Sequence, residues 1–173
     1  MILSVSKIKQ NPGLSLNFEV SGKVPAEVAA EFPEFSVEQP VEFSGTVTNE
    51  GKVAFRVTGS YKAQVGYSCG RCLKECTKQV SGDIEALFCE DISGIDQDEI
   101  DVRCMDGDKL PLADLIMSDI AFEFPMQPLC REDCKGICPV CGADLNNEAC
   151  SCNVENIDPR WEKLKNFKFT PDK

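Results

Sequence analysis

The stretch VEFSGTVTNEGKVAFRVTGSYKAQVGY, residues 41–67, decides the fold. Val41, Phe43, Gly45 and Val47 alternate with polar residues. After Asn49-Glu50-Gly51 the same alternation resumes through Val53, Phe55, Val57, Gly59, Tyr61, Ala63, Val65 and Tyr67. Successive side chains of a strand point to opposite faces, so a period of two with one apolar set marks strands half buried in a sheet. Two such runs around a turn predict a long antiparallel hairpin.

The pattern extends in both directions. Upstream, Leu14, Leu16, Phe18 and Val20 alternate with Ser15, Asn17 and Glu19, which predicts another strand. Pro25 opens a short helical turn over AEVAAEF, and Pro33 ends it because proline disfavours helix in the residue before it. Downstream, Val80, Gly82, Ile84, Ala86 and Phe88 restore the parity as a third strand that turns the hairpin into a meander. Beyond an acidic loop, Pro111 can serve as a first helical residue. Leu112, Leu115, Ile116 and Ile120 then recur at helical spacing until Pro125, and this helix is expected to cap one face of the sheet. The expected fold class is α+β: an antiparallel β-meander or partly open barrel with a capping helix and a Cys-rich, zinc-binding C-terminal module. Residues 1–125 form the β-rich domain with its helix and acidic loop. Residues 126–173 form the Cys-rich module, which ends in a short basic helix from Asp158-Pro159 carrying Trp161, Leu164 and Phe167.

Eleven cysteines and no histidine limit the chemistry further. No apolar run approaches the roughly 18 residues of a membrane span, and the start MILSVSKIKQNPG has neither the apolar core nor the small-residue cleavage site of a signal peptide. A cytoplasmic location away from membranes is expected. Disulfides gain little there, so metal binding is the better reason for so many thiols. Without histidine every soft ligand is a thiolate, and the Cys/His and Ser/His pairs that activate most hydrolytic nucleophiles are missing. No enzymatic activity is expected.

Cys138-Pro139-Val140-Cys141-Gly142 has the pattern of a metal knuckle: a tight turn brings two sulfurs together, backbone N–H groups point at them, and glycine tolerates the left-handed geometry that follows. Cys150 and Cys152 are the nearest second pair and complete a first zinc site. Cys69 and Cys72 form another C-x2-C between two strands, and pairing them with Cys130 and Cys134 gives a possible second site that staples the module to the β-domain. A single site made of Cys69, Cys72, Cys138 and Cys141 is an open alternative. Cys89 and Cys104 read as core or loop thiols. A redox reading of Cys69-Gly70-Arg71-Cys72 is disfavoured, because redox C-x-x-C pairs open a helix after a buried strand and this one sits between alternating strands.

At these residues the chain resembles the YceD-type family, the large ribosomal RNA subunit accumulation proteins. The resemblance rests on CGRCL at 69–73, LPLADLIMSDIAFEFPMQPLC at 110–130, CKGICPVCGADLN at 134–146, CSC at 150–152 and DPRWEKL at 158–164, in that order. It implies a role in accumulation of 23S ribosomal RNA or its precursors, with no known catalytic reaction. Cys69, Arg71 and Cys72 match the family's C-x-R-C element. Cys130, Cys134, Cys138, Cys141, Cys150 and Cys152 match the cluster found in many members. Cys76 extends the first element to C-x2-C-x3-C and could compete as a ligand.

The leading functional expectation is a ribosome-biogenesis factor that binds a large-subunit RNA precursor or a ribosomal protein, with no DNA partner. The net charge of −11 opposes RNA binding as a total, but local patches decide such contacts. Candidates are Arg71, Lys74 and Lys78, and Arg160, Lys163 and Lys165 beside Trp161 and Phe167. The alternative is an adaptor whose acidic segment 83–108, with ten acids against Arg103, engages a basic ribosomal protein.

Overall fold

The structure, a computed structural model, describes residues 1–51, 54–91, 101–152 and Arg160. Among the described residues, seven strands and two helices follow in the order β1 (Ile2–Ser4), β2 (Ser15–Gly22), α1 (Ala26–Ala29), β3 (Val41–Gly51), β4 (Ala54–Ser68), β5 (Glu75–Cys89), β6 (Asp101–Cys104), β7 (Lys109–Pro111) and α2 (Leu112–Glu123). β2 to β5 form an antiparallel meander, β6 joins β5 in parallel, and β1 pairs with β7 in a small separate ribbon. The described strands make a sheet with β2 and β6 as edges, so the meander holds and no barrel closure is seen among them.

The alternation read in residues 41–67 is the alternation of burial. Val41, Phe43, Val47, Phe55, Val57, Tyr61, Ala63 and Val65 all lie on the covered face, and Ile84, Ala86 and Phe88 of β5 continue it. Gly82 on the same face sits opposite Tyr61, where an added Cβ would lie 2.8 Å from the tyrosine ring and 2.7 Å from Asp119. The missing side chain lets the buried Tyr61 hydroxyl reach Asp119 of α2, and burial first, then that carboxylate, pushes its pKa up. α2 lays Leu112, Leu115, Ile116, Met117 and Ile120 over the sheet and ends at extended Phe124, one residue before Pro125. Pro111 belongs to β7 and caps the helix rather than opening it.

The N-terminal segment completes the core with Leu3, Val5 and Ile8. It is latched by Asn49, a buried polar side chain at 2% exposure. Its Nδ2 donates to the carbonyls of Ile8 and Lys9 at 2.7 and 3.0 Å, and its Oδ1 accepts from the Gly51 N–H at 2.8 Å.

The acidic segment 83–108 is not a loop throughout: 83–89 lies in β5, and 101–104 is β6. Arg103 of β6 bridges Asp101 and Asp114, tying the edge strand to α2 at 2.9 and 2.7 Å. Residues 52–53 and 92–100 and the expected basic helix around Trp161 lie outside the described residues. No helix among the described residues is long and apolar enough to cross a membrane.

Among the described residues, no member of the hydrophobic core lies beyond Phe124. Full burial of a large apolar side chain stabilises by about 1.5–3 kcal/mol, so the segment after Phe124, which supplies none to this core, needs another means of attachment.

Candidate metal centres

The cysteines supply it. Cys69, Cys72, Cys130 and Cys134 form one group, and Cys138, Cys141, Cys150 and Cys152 a second; within each, the four sulfurs lie within 4.8 Å of one another. Both expected ligand sets are thus brought together, and the mixed set of Cys69 and Cys72 with Cys138 and Cys141 is not. Cys76 stands outside both groups, in β5 opposite Tyr67, with its Sγ 3.5 Å from the Lys74 carbonyl. Cys89 is buried and Cys104 exposed, side by side in register across β5 and β6.

The first group joins the sheet to the C-terminal segment. Its knuckle connects β4 to β5, with the Cys69 N–H donating to the Lys74 carbonyl at 2.9 Å and the Leu73 N–H to the Cys69 carbonyl at 2.9 Å. The incoming segment is docked by the Gly70 N–H on the Pro128 carbonyl at 2.8 Å and the Tyr67 hydroxyl on the Leu129 carbonyl at 3.1 Å. Arg71 Nη1 donates to the Cys134 carbonyl at 2.8 Å. Cys69 Sγ lies 3.8 Å from Cys134 Sγ, and Cys72 Sγ 3.7 Å from Cys130 Sγ. Four thiolates around an ion with metal–sulfur bonds of about 2.3 Å sit about 3.8 Å apart at tetrahedral angles, so this spacing fits a bound ion.

The second knuckle repeats the first. The Cys138 N–H donates to the Ala143 carbonyl at 2.8 Å and the Gly142 N–H to the Cys138 carbonyl at 2.9 Å, with Gly142 in the left-handed region at φ 73°. Electrostatics run in parallel too. The N–H of Cys72, then that of Arg71, lower Cys69 to about 6, and the N–H groups of Cys141 and Val140 do the same for Cys138. Burial and neighbouring sulfurs push Cys130 up to about 12, and the Cys141 sulfur together with burial does so for Cys152. Each group readily ionises one thiol and resists the next, as expected of clustered sulfurs that need a cation to offset mutual repulsion.

Asn146 couples the two groups, a role the sequence reading did not assign. Its Oδ1 accepts from the Lys135 N–H at 2.8 Å and Arg131 Nη2 at 2.9 Å; its Nδ2 reaches Cys134 Sγ at 3.5 Å and Asp144 Oδ1 at 2.7 Å. Asp144 also takes the Asn146 N–H at 2.9 Å, and these bonds hold its carboxyl below the usual range. The Asp-x-Asn spacing after the second knuckle is the available signal, because Asx side chains bond backbone two residues on.

Of the sequence's basic candidates, exposed Arg71 is tied to Cys134, Lys74 lies close enough to act on Asp144, and the Lys78 ammonium stands 6.0 Å over the Phe124 ring. Arg160 is exposed, while Lys163 and Lys165 fall outside the described residues. Arg131 and Lys135, not among those candidates, border the same joint through Asn146.

Fold and sites define a mostly β protein with two four-cysteine clusters able to hold metal ions, the first a staple between sheet and C-terminal segment. A family model described as Large ribosomal RNA subunit accumulation protein YceD matches residues 57–168, a stretch containing all eight clustered cysteines, and the chain belongs to that family. Uncharacterized proteins of Mycobacterium tuberculosis and Mycobacterium bovis are 28% identical over 170 residues, covering 95% of this chain and 79% of theirs. The chloroplastic Large ribosomal RNA subunit accumulation protein YCED homolog 1 of Zea mays is 27% identical over 148 residues, 68% of this chain and 50% of that protein. No solved structure matches the chain.

Proposed function

We propose that the chain is a non-catalytic, cytoplasmic ribosome-biogenesis factor that supports accumulation of large-subunit ribosomal RNA and holds zinc in both clusters. The donor sets support zinc: four thiolates, at tetrahedral spacing in the first cluster, suit an ion without geometric demands of its own, and a site closed by four protein ligands has no position for substrate. The metal's task is then structural, holding the segment after Phe124 on the sheet.

The observation that carries the RNA reading is a set of bases at the stapled joint. The side chains of Arg71, Lys74 and Arg131 belong to one neighbourhood built around Cys134, Asp144 and Asn146, where Arg131 also pairs with Asp133 at 3.3 Å, and exposed Lys135 joins it through its backbone N–H. Phosphate contacts dominate RNA affinity and depend on local positive charge, so this patch can act despite the net acidity. Arg71, exposed as a residue, braces the joint through its guanidinium, whereas Lys74 and Lys135 are exposed residues whose removal spares the cysteines.

Binding of a transcribed large-subunit RNA precursor to zinc-loaded protein, across a salt series, tests this. Lys74→Ala with Lys135→Ala is expected to weaken binding and to flatten the salt slope by roughly 0.7 to 0.9 for each phosphate that is no longer neutralised. Wild-type affinity and slope in that double variant would move the RNA contact elsewhere.

A further inference from the structure

A groove of about 650 Å³ opens between the segment 33–39 and the cysteine-proximal end of the β4–β5 ribbon. Its lining includes three exposed carboxylates, Glu34, Glu38 and Glu75, and no lysine or arginine. Phe35 and Tyr67 add apolar surface, and both rings are immobilised edge-on against Phe124 at centroid distances of 4.8 and 5.2 Å.

The backbone supplies a separate feature. Gly66 exchanges both its bonds with Ser36, at 2.7 and 2.9 Å. In a strand, the peptide groups of every second residue share a direction, so the N–H and carbonyl of Gln64 point to the same side as those of Gly66. β3 pairs with β4 there only as far as Glu42 opposite Lys62. Among the described residues Gln64 therefore has no backbone partner on that side, and it lines the groove.

Fixed aromatic faces, a spare peptide donor and acceptor, and a rim of one sign are complementary to one kind of ligand. We propose that this groove binds an extended, lysine- or arginine-rich polypeptide segment, its backbone pairing with Gln64 and its cationic side chains meeting Glu34, Glu38 and Glu75. Nucleic acid does not fit the same rim, because its phosphates would face three carboxylates without a base to neutralise them. The proposal is independent of the RNA reading: the groove belongs to the loop after α1 and the outer side of the ribbon, whereas the basic patch belongs to the knuckle and the C-terminal segment.

The test is fluorescence anisotropy of a labelled decapeptide of alternating lysine and alanine, titrated with full-length metal-loaded protein at low and moderate salt. Wild type is expected to bind in a salt-sensitive way and to ignore the matching glutamate–alanine peptide. Replacing Glu34, Glu38 and Glu75 by glutamine should weaken binding about tenfold, as removal of a few exposed ion pairs implies. Thr77→Trp, which crowds the groove without altering charge, should weaken it comparably. Metal content and melting temperature equal to wild type establish that both variants fold. Unchanged binding in either variant would overturn the proposal: the first outcome would place the peptide elsewhere, and the second would reduce the effect to diffuse attraction. Direct binding of a labelled oligoribonucleotide to wild type that Thr77→Trp abolishes would overturn it as well, by making the groove an RNA site.

Discussion

The two knuckles, 69–73 and 138–142, make the same pair of backbone hydrogen bonds, yet the protein embeds them differently. The first grows out of a sheet: β4 delivers Cys69 and β5 departs just beyond Leu73, so the turn is held at both ends by the longest strand pairing among the described residues. The second is held by a short bridge between Ile137 and Asp144, the Leu145 N–H on the Gly136 carbonyl, and its own sulfurs. Cys69 and Cys134 of the first cluster are buried, whereas Cys141 of the second is exposed. A metal site on a rigid mount has its ligands pre-placed; one on a polar loop owes most of its order to the ion. The first cluster should therefore survive loss of the second, and the reverse should fail.

The largest expected effect breaks that hierarchy from either side. On the zinc reading proposed above, Cys134→Ser, which removes the first-cluster sulfur that Asn146 touches, should cost bound metal and the protease resistance of the whole segment 126–152. Cys141→Ser should release one metal equivalent and expose 135–152, leaving Cys130 and Cys134 protected. Structural zinc contributes about 10 kcal/mol in small modules, enough to decide folding of either piece. Equal proteolytic patterns for the two variants would show that the clusters fold as one unit.

An intermediate effect falls on the coupling itself. Asn146→Ala removes the acceptor of the Lys135 N–H and one of the two acceptors of Arg131, and should loosen the second cluster by about 0.5–1.5 kcal/mol. Metal stoichiometry should stay at two while transfer of one equivalent to a chelator accelerates. An unchanged transfer rate would remove Asn146 as the link.

The smallest effect sharpens the backbone comparison. The residue after the second cysteine is left-handed in both knuckles, but it is Gly142 in one and Leu73, at φ 59°, in the other. A side chain in that region costs about 1–2 kcal/mol, and Leu73, 66% exposed, recovers little of it by packing. Leu73→Gly should raise the thermal midpoint by a few degrees, and Gly142→Ala should lower the stability of the second cluster by about 1 kcal/mol. If Leu73→Gly destabilises, the freedom that glycine adds to the unfolded chain outweighs the relief of the left-handed backbone.

The long elements were legible because their signal repeats. β3, β4 and β5 carry enough inward positions for a period of two to stand out, and α2 shows its helical period between two prolines. β1, β6 and β7 have three or four residues each, too few for any period, and β6 pairs in parallel, which no turn signal announces. Asn49 and Asn146 look like ordinary loop polars until the groups they satisfy are known.

By itself the sequence determined which residues face inward along the meander and which cysteines form close pairs, because both depend on spacings of a few residues along one chain. Which pair meets which was left to the tertiary structure. Cys69 and Cys72 lie about sixty positions from Cys130 and Cys134, and the spacing rules for ligands admit the rival set with Cys138 and Cys141 equally well. The choice follows from where α2 ends: Phe124 packs on Phe35 and Tyr67, and Pro128 and Leu129 dock on Gly70 and Tyr67. That docking brings Cys130 and Cys134, the first cysteines after it, up to the first knuckle, while Cys138 and Cys141 gather with Cys150 and Cys152.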